Sequence, residues 1–198
     1  RERTKRGAEG TPPPVPRRRR AGESISAPAA PIPALRVLSV VSEIYPLIKT
    51  GGLADVAGAL PSALAGHGVE TVSIVPGYPK VMAALGEAET VHSFDGLFGA
   101  PARLLRAKAA GLDLIVVDAP HLYDRPGGPY VDPTGKDFAD NAIRFAALGA
   151  AAAAVSFGFA GGWRPDLVHG HDWQAGPAIA YLAYADGPRP ATKMTVHN

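Results

Sequence analysis

Leu35-Arg36-Val37-Leu38-Ser39-Val40-Val41 is the first regular pattern in this chain. The run is short, β-branched and nearly all apolar, which predicts a strand buried on both faces. A loop over 42–52 follows. Leu53, Val56, Ala57, Leu60 and Leu64 then recur at helical spacing, and Gly66-His67-Gly68 ends the helix. Pro61 inside it predicts a kink or a break into two turns. Val69 to Val75 reads as a second strand. Strand, loop, helix, strand makes one βαβ unit, whose crossover is expected to be right-handed.

Downstream the theme repeats. Residues 90–94, 103–107, 112–117, 166–169 and 193–197 read as strands. Residues 137–159 form an Ala-rich helical pattern, opened by acidic residues and closed by Gly161-Gly162, and 174–185 a further helix. Apolar strands alternating with helices predict an α/β fold built on a parallel sheet. Ligands bind such sheets at the carboxyl ends of the strands. That rule selects the loops at 42–52, 119–136 and 170–173, and the chain end at His197-Asn198.

Upstream, Arg1 to Pro33 carries seven of the 20 prolines and the run Arg17 to Arg20. Its charge balance is +5 against +2 for the whole chain, so residues 34–198 carry −3 and the basic character belongs to the tail. With almost no large apolar residues, residues 1–33 are expected to be disordered. The readings are a nucleic-acid arm, a transit peptide, which two serines and three glutamates do not favour, and a plain solvated extension or misassigned start. Residues 34–198 are expected to be one domain. The chain opens at Arg1 rather than Met and ends on an apolar strand in mid-fold, so a fragment is expected.

Hydrophobic residues make up 46% and charged residues 19%, enough for a core. The absence of cysteine excludes a disulfide scaffold, a thiolate zinc site and a cysteine nucleophile. No apolar run reaches the roughly 18–20 residues that cross a bilayer.

Lys49-Thr50-Gly51-Gly52 lies between the first strand and the first helix. Two glycines allow positive φ and close approach of backbone to a ligand. The helix start offers amides and a positive dipole end, and Lys49 adds a mobile charge. A diphosphate fits that combination; so does a glycine turn beside a surface lysine. The order of a Walker loop is absent, as is the dinucleotide fingerprint, because Gly66-His67-Gly68 follows a helix and precedes a strand. His169-Gly170-His171-Asp172 lacks the spacer and the further histidine of a metallohydrolase motif, and no metal is expected.

The stretch Ser42-Glu43-Ile44-Tyr45-Pro46-Leu47-Ile48-Lys49-Thr50-Gly51-Gly52-Leu53-Ala54-Asp55-Val56 closely resembles the N-terminal signature of bacterial glycogen synthases and plant starch synthases. The match continues at 58–61, at Val75-Pro76-Gly77-Tyr78-Pro79, at 118–127, at Trp163-Arg164-Pro165-Asp166, at His169-Gly170-His171-Asp172-Trp173-Gln174-Ala175-Gly176 and at Thr195-Val196-His197-Asn198. Order and rough spacing hold from Leu35 onward; the tail lies outside. Gln174 stands where the family often has histidine.

The resemblance implies a retaining transferase with two Rossmann-like domains facing a cleft (the GT-B arrangement), moving glucose from ADP-glucose to the non-reducing end of an α-1,4-glucan without a cofactor. Lys49, with Gly51 and Gly52 of the same motif, inherits contact with the diphosphate. Asp172 inherits a place on the glucose or acceptor side, and His197 a place beside the transferred glucosyl group, with Asn198 next to it. Tyr130 matches a tyrosine close to the active site. Asp55 is either part of the motif's architecture or ordinary helix N-terminal chemistry. Most nucleotide contacts would come from a second domain, so this piece alone is expected to be inactive. A cytoplasmic enzyme is implied, or a plastid one from a plant; the Ala/Gly-rich composition points to bacteria. Rival readings are a sucrose-synthase-like transferase, a nicotinamide-binding domain, and a non-enzymatic α/β domain whose basic tail binds nucleic acid. Nothing in the sequence addresses oligomeric state.

Overall fold

The computed structural model describes residues 33–197. Seven strands, β1 (Leu35–Val40), β2 (Val69–Pro76), β3 (Ala88–Leu97), β4 (Ala100–Ala109), β5 (Leu112–Asp118), β6 (Leu167–His171) and β7 (Ala191–Thr195), form one sheet in the order β3-β4-β5-β2-β1-β6-β7. The helices are α1 (Gly52–Ala65), α2 (Pro79–Ala84), α3 (Pro120–Tyr123), α4 (Asn141–Ser156) and α5 (Asp172–Tyr184).

The five strands from β5 to β7 are parallel. The middle residues of β5, β2, β1 and β6 are buried on both faces, with Leu38, Val40, Ile74, Leu114, Ile115, Val116 and Val168 all at 0% exposure, whereas the edge strand β7 is mostly exposed. This is the expected α/β core, and it explains why these runs show no polar alternation. The sheet is not parallel throughout, however. β3 and β4 pair antiparallel, as do β4 and β5. The reason is connection length. Phe98-Gly99 and Ala110-Gly111 are two-residue links, both at positive φ, and so short a link permits only a hairpin.

From β1 the chain crosses to β2 on one side, and after β5 it crosses back over to β6 and then β7 on the other side. Right-handed crossovers in opposite directions place α1 on one face of the sheet and α4 and α5 on the other. The carboxyl ends of β1, β2, β5, β6 and β7 share one edge, and the change of direction lies between β1 and β6.

Two helices differ from expectation. α1 runs unbroken through Pro61, its missing amide falling within a helix whose buried face is carried by Leu53, Ala54 and Ala57. α4 begins at Asn141 rather than 137. The acidic residues before it serve a loop instead: Asp140 accepts from Arg125 Nη1 and Nη2 at 2.9 and 3.0 Å, and the Phe138 amide donates to the Tyr130 carbonyl. Eleven of the 16 residues of α4 are buried, which is why it reads as Ala-rich and not amphipathic. Small residues let α5 approach it closely. The short helices α2 and α3, both opened by proline, are too brief to leave a periodic signal in the sequence.

The tail expectation for residues 1–33 lies, apart from Pro33, outside the described residues. Among the described residues, no helix is long and apolar enough to cross a membrane.

Candidate functional site

The loops at 42–52, 119–136 and 170–173, and His197, lie on the carboxyl edge of the parallel strands. The loop after β1 is a compact turn. Ile44 and Ile48 bridge to each other, the Tyr45 amide donates to the Ala54 carbonyl, and Ile44, Leu47 and Ile48 are buried. The turn seats against α1 at Gly58, where a Cβ would collide with the Tyr45 carbonyl oxygen.

At its centre is Glu43, only 3% exposed. Its carboxylate accepts from the Thr50 amide, from Thr50 Oγ1 at 2.9 and 3.0 Å, from the Gly51 amide at 3.3 Å and from Tyr130 Oη at 3.1 Å. Tyr130 Oη also lies 2.8 Å from Ser42 Oγ. A phenol has one proton and Glu43 takes it, so Ser42 is the donor in that pair. Burial raises the Tyr130 pKa, and the phenol stays protonated. Sequence reasoning assigned no role to Glu43 or Ser42; their signal was position alone, directly after a buried strand.

This arrangement corrects the sequence-based account of the glycines. Gly51 has φ −139°, an extended conformation, and Gly52 is not among the positive-φ glycines. A Cβ on either would meet nothing within 4 Å. No backbone conformation or protein neighbour demands glycine there, so the open space they leave faces outward. The Gly51 amide is already taken by Glu43, which leaves the first-turn amides of α1 beyond it as the helix-end donors. Lys49 is exposed, its Nζ lying 2.6 and 2.5 Å from Asp55 Oδ1 and Oδ2. A cavity of about 230 Å³ opens beside this turn, lined by Lys49, Thr50, Tyr78, Lys80, Arg125 and Gly127 among others. A larger one, about 550 Å³, sits at the opposite edge near Val69, Leu112 and Pro61 and touches none of the selected residues.

The second half of the site is the β6–α5 junction. Asp172 opens α5 with φ +59°, a left-handed conformation uncommon outside glycine, which aspartate and asparagine adopt more readily than other side chains. Its Oδ1 accepts the His197 amide at 2.6 Å. His171, fully buried, places Nδ1 2.9 Å from His197 Nε2, with the ring centroids 5.2 Å apart and the ring planes 19° from parallel. His169 Nε2 lies 2.8 Å from Thr195 Oγ1. Burial lowers the pKa of His169 and pushes that of His171 down to about 3. Among the described residues, no group of three or more His, Cys, Asp or Glu side chains is placed to hold a metal.

A line of aromatic contacts joins the two halves. Tyr130 packs on Phe145 at 5.8 Å, and Phe145 meets the exposed Trp173 edge-on at 5.2 Å. Arg144, at 0% exposure, supports this line from behind. It donates to the carbonyls of Leu122 and Pro129 and to Asn141 Oδ1 at 2.7–2.8 Å, and sits among the rings of Tyr78, Tyr123, Phe138 and Phe145. Lys49, Gly51, Gly52, Tyr130, Asp172 and His197 thus share one edge of the sheet. Asn198 lies outside the described residues.

Comparison with known proteins gives a consistent answer. The family described as starch synthase catalytic domain matches residues 36–198. A glycogen synthase of Methylocella silvestris is 63% identical over 164 residues, covering 83% of this chain and 34% of that protein. A glycogen synthase of Rhodopseudomonas palustris strain BisB18 is 62% identical over 165 residues, with the same coverages. The chain therefore spans about a third of the length of the curated relatives it matches. In fold it is similar to the catalytic domain of starch synthase IV from Arabidopsis thaliana, described as bound to ADP and acarbose, with a TM-score of 0.66 at 23% identity over 83% of this chain and 34% of that one. With a family match spanning nearly every described residue, the chain belongs to the starch synthase catalytic domain family.

Proposed function

We propose that this chain forms the N-terminal domain of a glycogen synthase, a retaining enzyme that transfers glucose from ADP-glucose to the non-reducing end of an α-1,4-glucan. The observation that carries the reading is the meeting, on one strand edge, of an exposed lysine at a helix start with the Asp172–His197 pair. The glycogen synthases that match at 62–63% identity support it. The ADP and acarbose bound to the Arabidopsis enzyme suit a nucleotide-sugar donor and a glucan acceptor.

In this reading Lys49 leaves Asp55 for the diphosphate as it binds. Together with the first-turn amides of α1 it stabilises the charge that develops on the leaving diphosphate. The open side of Gly51 and Gly52 admits that group. Asp172 and His197 line the glucosyl position, Asn198 extends the same segment, and Tyr130 orders the turn that carries Lys49. Transfer is front-face, the acceptor hydroxyl attacking from the side the diphosphate leaves. Glycosidases that work through two carboxylates about 5 Å apart use a different geometry. A second Rossmann-like domain supplies most nucleotide contacts and closes the cleft. The enzyme works in the bacterial cytoplasm.

The test is transfer of labelled glucose from ADP-glucose to glycogen, by the two-domain enzyme carrying this chain and by the chain alone. The expected result is transfer by the first and none by the second. Transfer to fructose instead of glucan would favour the sucrose-synthase-like reading.

A further inference from the structure

We propose that the fully buried His171 is a positioning residue that holds His197 in the tautomer bearing its proton on Nδ1, by donating its own Nδ1–H to His197 Nε2. The inference deepens the proposed function, because it rests on His197 standing beside the transferred group.

The argument starts from the 2.9 Å contact between two ring nitrogens. One must donate and the other accept. If His197 donated, the proton of neutral His171 would sit on Nε2. That atom is buried, and among the described residues it has no hydrogen-bond partner. A buried, orphaned N–H is among the rarest features of folded proteins. If His171 donates, its Nε2 keeps only a lone pair, and no proton is stranded. A doubly protonated His171 would strand both a proton and a charge, and burial beside His169 and His197 disfavours it.

The consequence falls on His197. Its Nε2 is occupied, so Nδ1–H becomes the only ring donor it can offer a sugar oxygen. A histidine free in water prefers the other tautomer, with the proton on Nε2. His171 therefore imposes the less favoured form. The neighbouring Asp172 holds the backbone of the same residue through the His197 amide. Two consecutive residues at the β6–α5 junction thus fix the ring and the main chain of His197, and the positive φ of Asp172 lets both reach it.

Nitrogen NMR of labelled histidines in the chain tests the assignment directly. The expected spectrum shows protonated Nδ1 on both His171 and His197, with a through-hydrogen-bond coupling between His171 Nδ1 and His197 Nε2. A proton on Nε2 of either ring overturns the proposal. His171→Asn places a carboxamide donor near the position of Nδ1, whereas His171→Leu offers none. His197 is expected to keep Nδ1–H in the first and revert to Nε2–H in the second. In the two-domain enzyme, His171→Leu is expected to lower kcat by roughly threefold to tenfold, the range of one neutral hydrogen bond, at nearly constant KM, and His171→Asn to recover most of it. Equal losses in both variants overturn the proposal. If His171→Leu does not fold, the wild-type spectrum and the asparagine variant still decide. A wild-type enzyme that transfers no glucose would defeat the proposed function, while the spectra would still decide the tautomer.

Discussion

Lys49 Nζ sits against both carboxylate oxygens of Asp55, at 2.6 and 2.5 Å, across the opening turn of α1. Both side chains are about half exposed, 44% and 53%, so the pair contributes little to stability, on the order of 0–1 kcal/mol. Its importance lies in where it parks the charge. Lys49→Ala is expected to leave the melting temperature almost unchanged. In the two-domain enzyme it should lower kcat/KM for ADP-glucose by roughly tenfold to a hundredfold, the value of one or more charge-assisted hydrogen bonds. Steady-state kinetics beside a thermal melt separate the two effects, and unchanged kinetics would remove Lys49 from the site.

Glu43→Gln is expected to act in the opposite sense, on stability first. The buried carboxylate accepts from Thr50, Gly51 and Tyr130. A carboxamide turns one acceptor into a donor and leaves at least one buried N–H or O–H facing it. The cost is about 1–3 kcal/mol, readable in urea unfolding. Because the turn it anchors carries Lys49, KM for ADP-glucose should rise as well. A variant as stable as wild type would show that the network does not hold the turn.

Gly149→Ala tests the α4–α5 contact. A Cβ at this position would stand 2.7 Å from the Ala178 amide nitrogen and from Pro177 Cβ. Alanine gains up to about 1 kcal/mol of helix propensity over glycine. Overpacking against backbone costs about 1–3 kcal/mol and wins. The melting temperature is expected to fall by roughly 2–8 °C. A rise would mean that α5 can slide away freely.

His171 also sets a pH dependence. Its pKa falls from 6.5 to about 3 on folding, so between those values the unfolded chain binds a proton that the folded chain refuses. Stability therefore drops as the pH falls below about 6.5, with a slope from this residue approaching 1.4 kcal/mol per pH unit. His171→Asn removes that contribution, so its stability should decline less steeply between pH 6.5 and 5. Parallel slopes for variant and wild type would mean that His171 titrates normally in the folded state.

Much of the edge where these residues meet is legible in the sequence. A strand pattern and a family resemblance point to Lys49, Tyr130, Asp172 and His197, and the structure brings them to one side of the sheet. Glu43 belongs to the same motif, yet its role is not legible there, because a carboxylate's burial depends on which amides the turn points at it. His171 invites only a metal reading, since nothing in His-Gly-His-Asp says that the second ring lies against a residue 26 positions away. The acidic run before α4 looks like a helix start and is half of a clamp on Arg125.

By itself the sequence determined the α/β class, the first βαβ unit and the edge on which ligands are sought. These follow from local periodicity and from the handedness of crossovers, which every residue window carries. The tertiary structure alone decided the capture of the Gly51 amide by Glu43 and the pairing of His171 with His197. Each depends on which distant groups a side chain meets, and on the demand that buried polar atoms find partners.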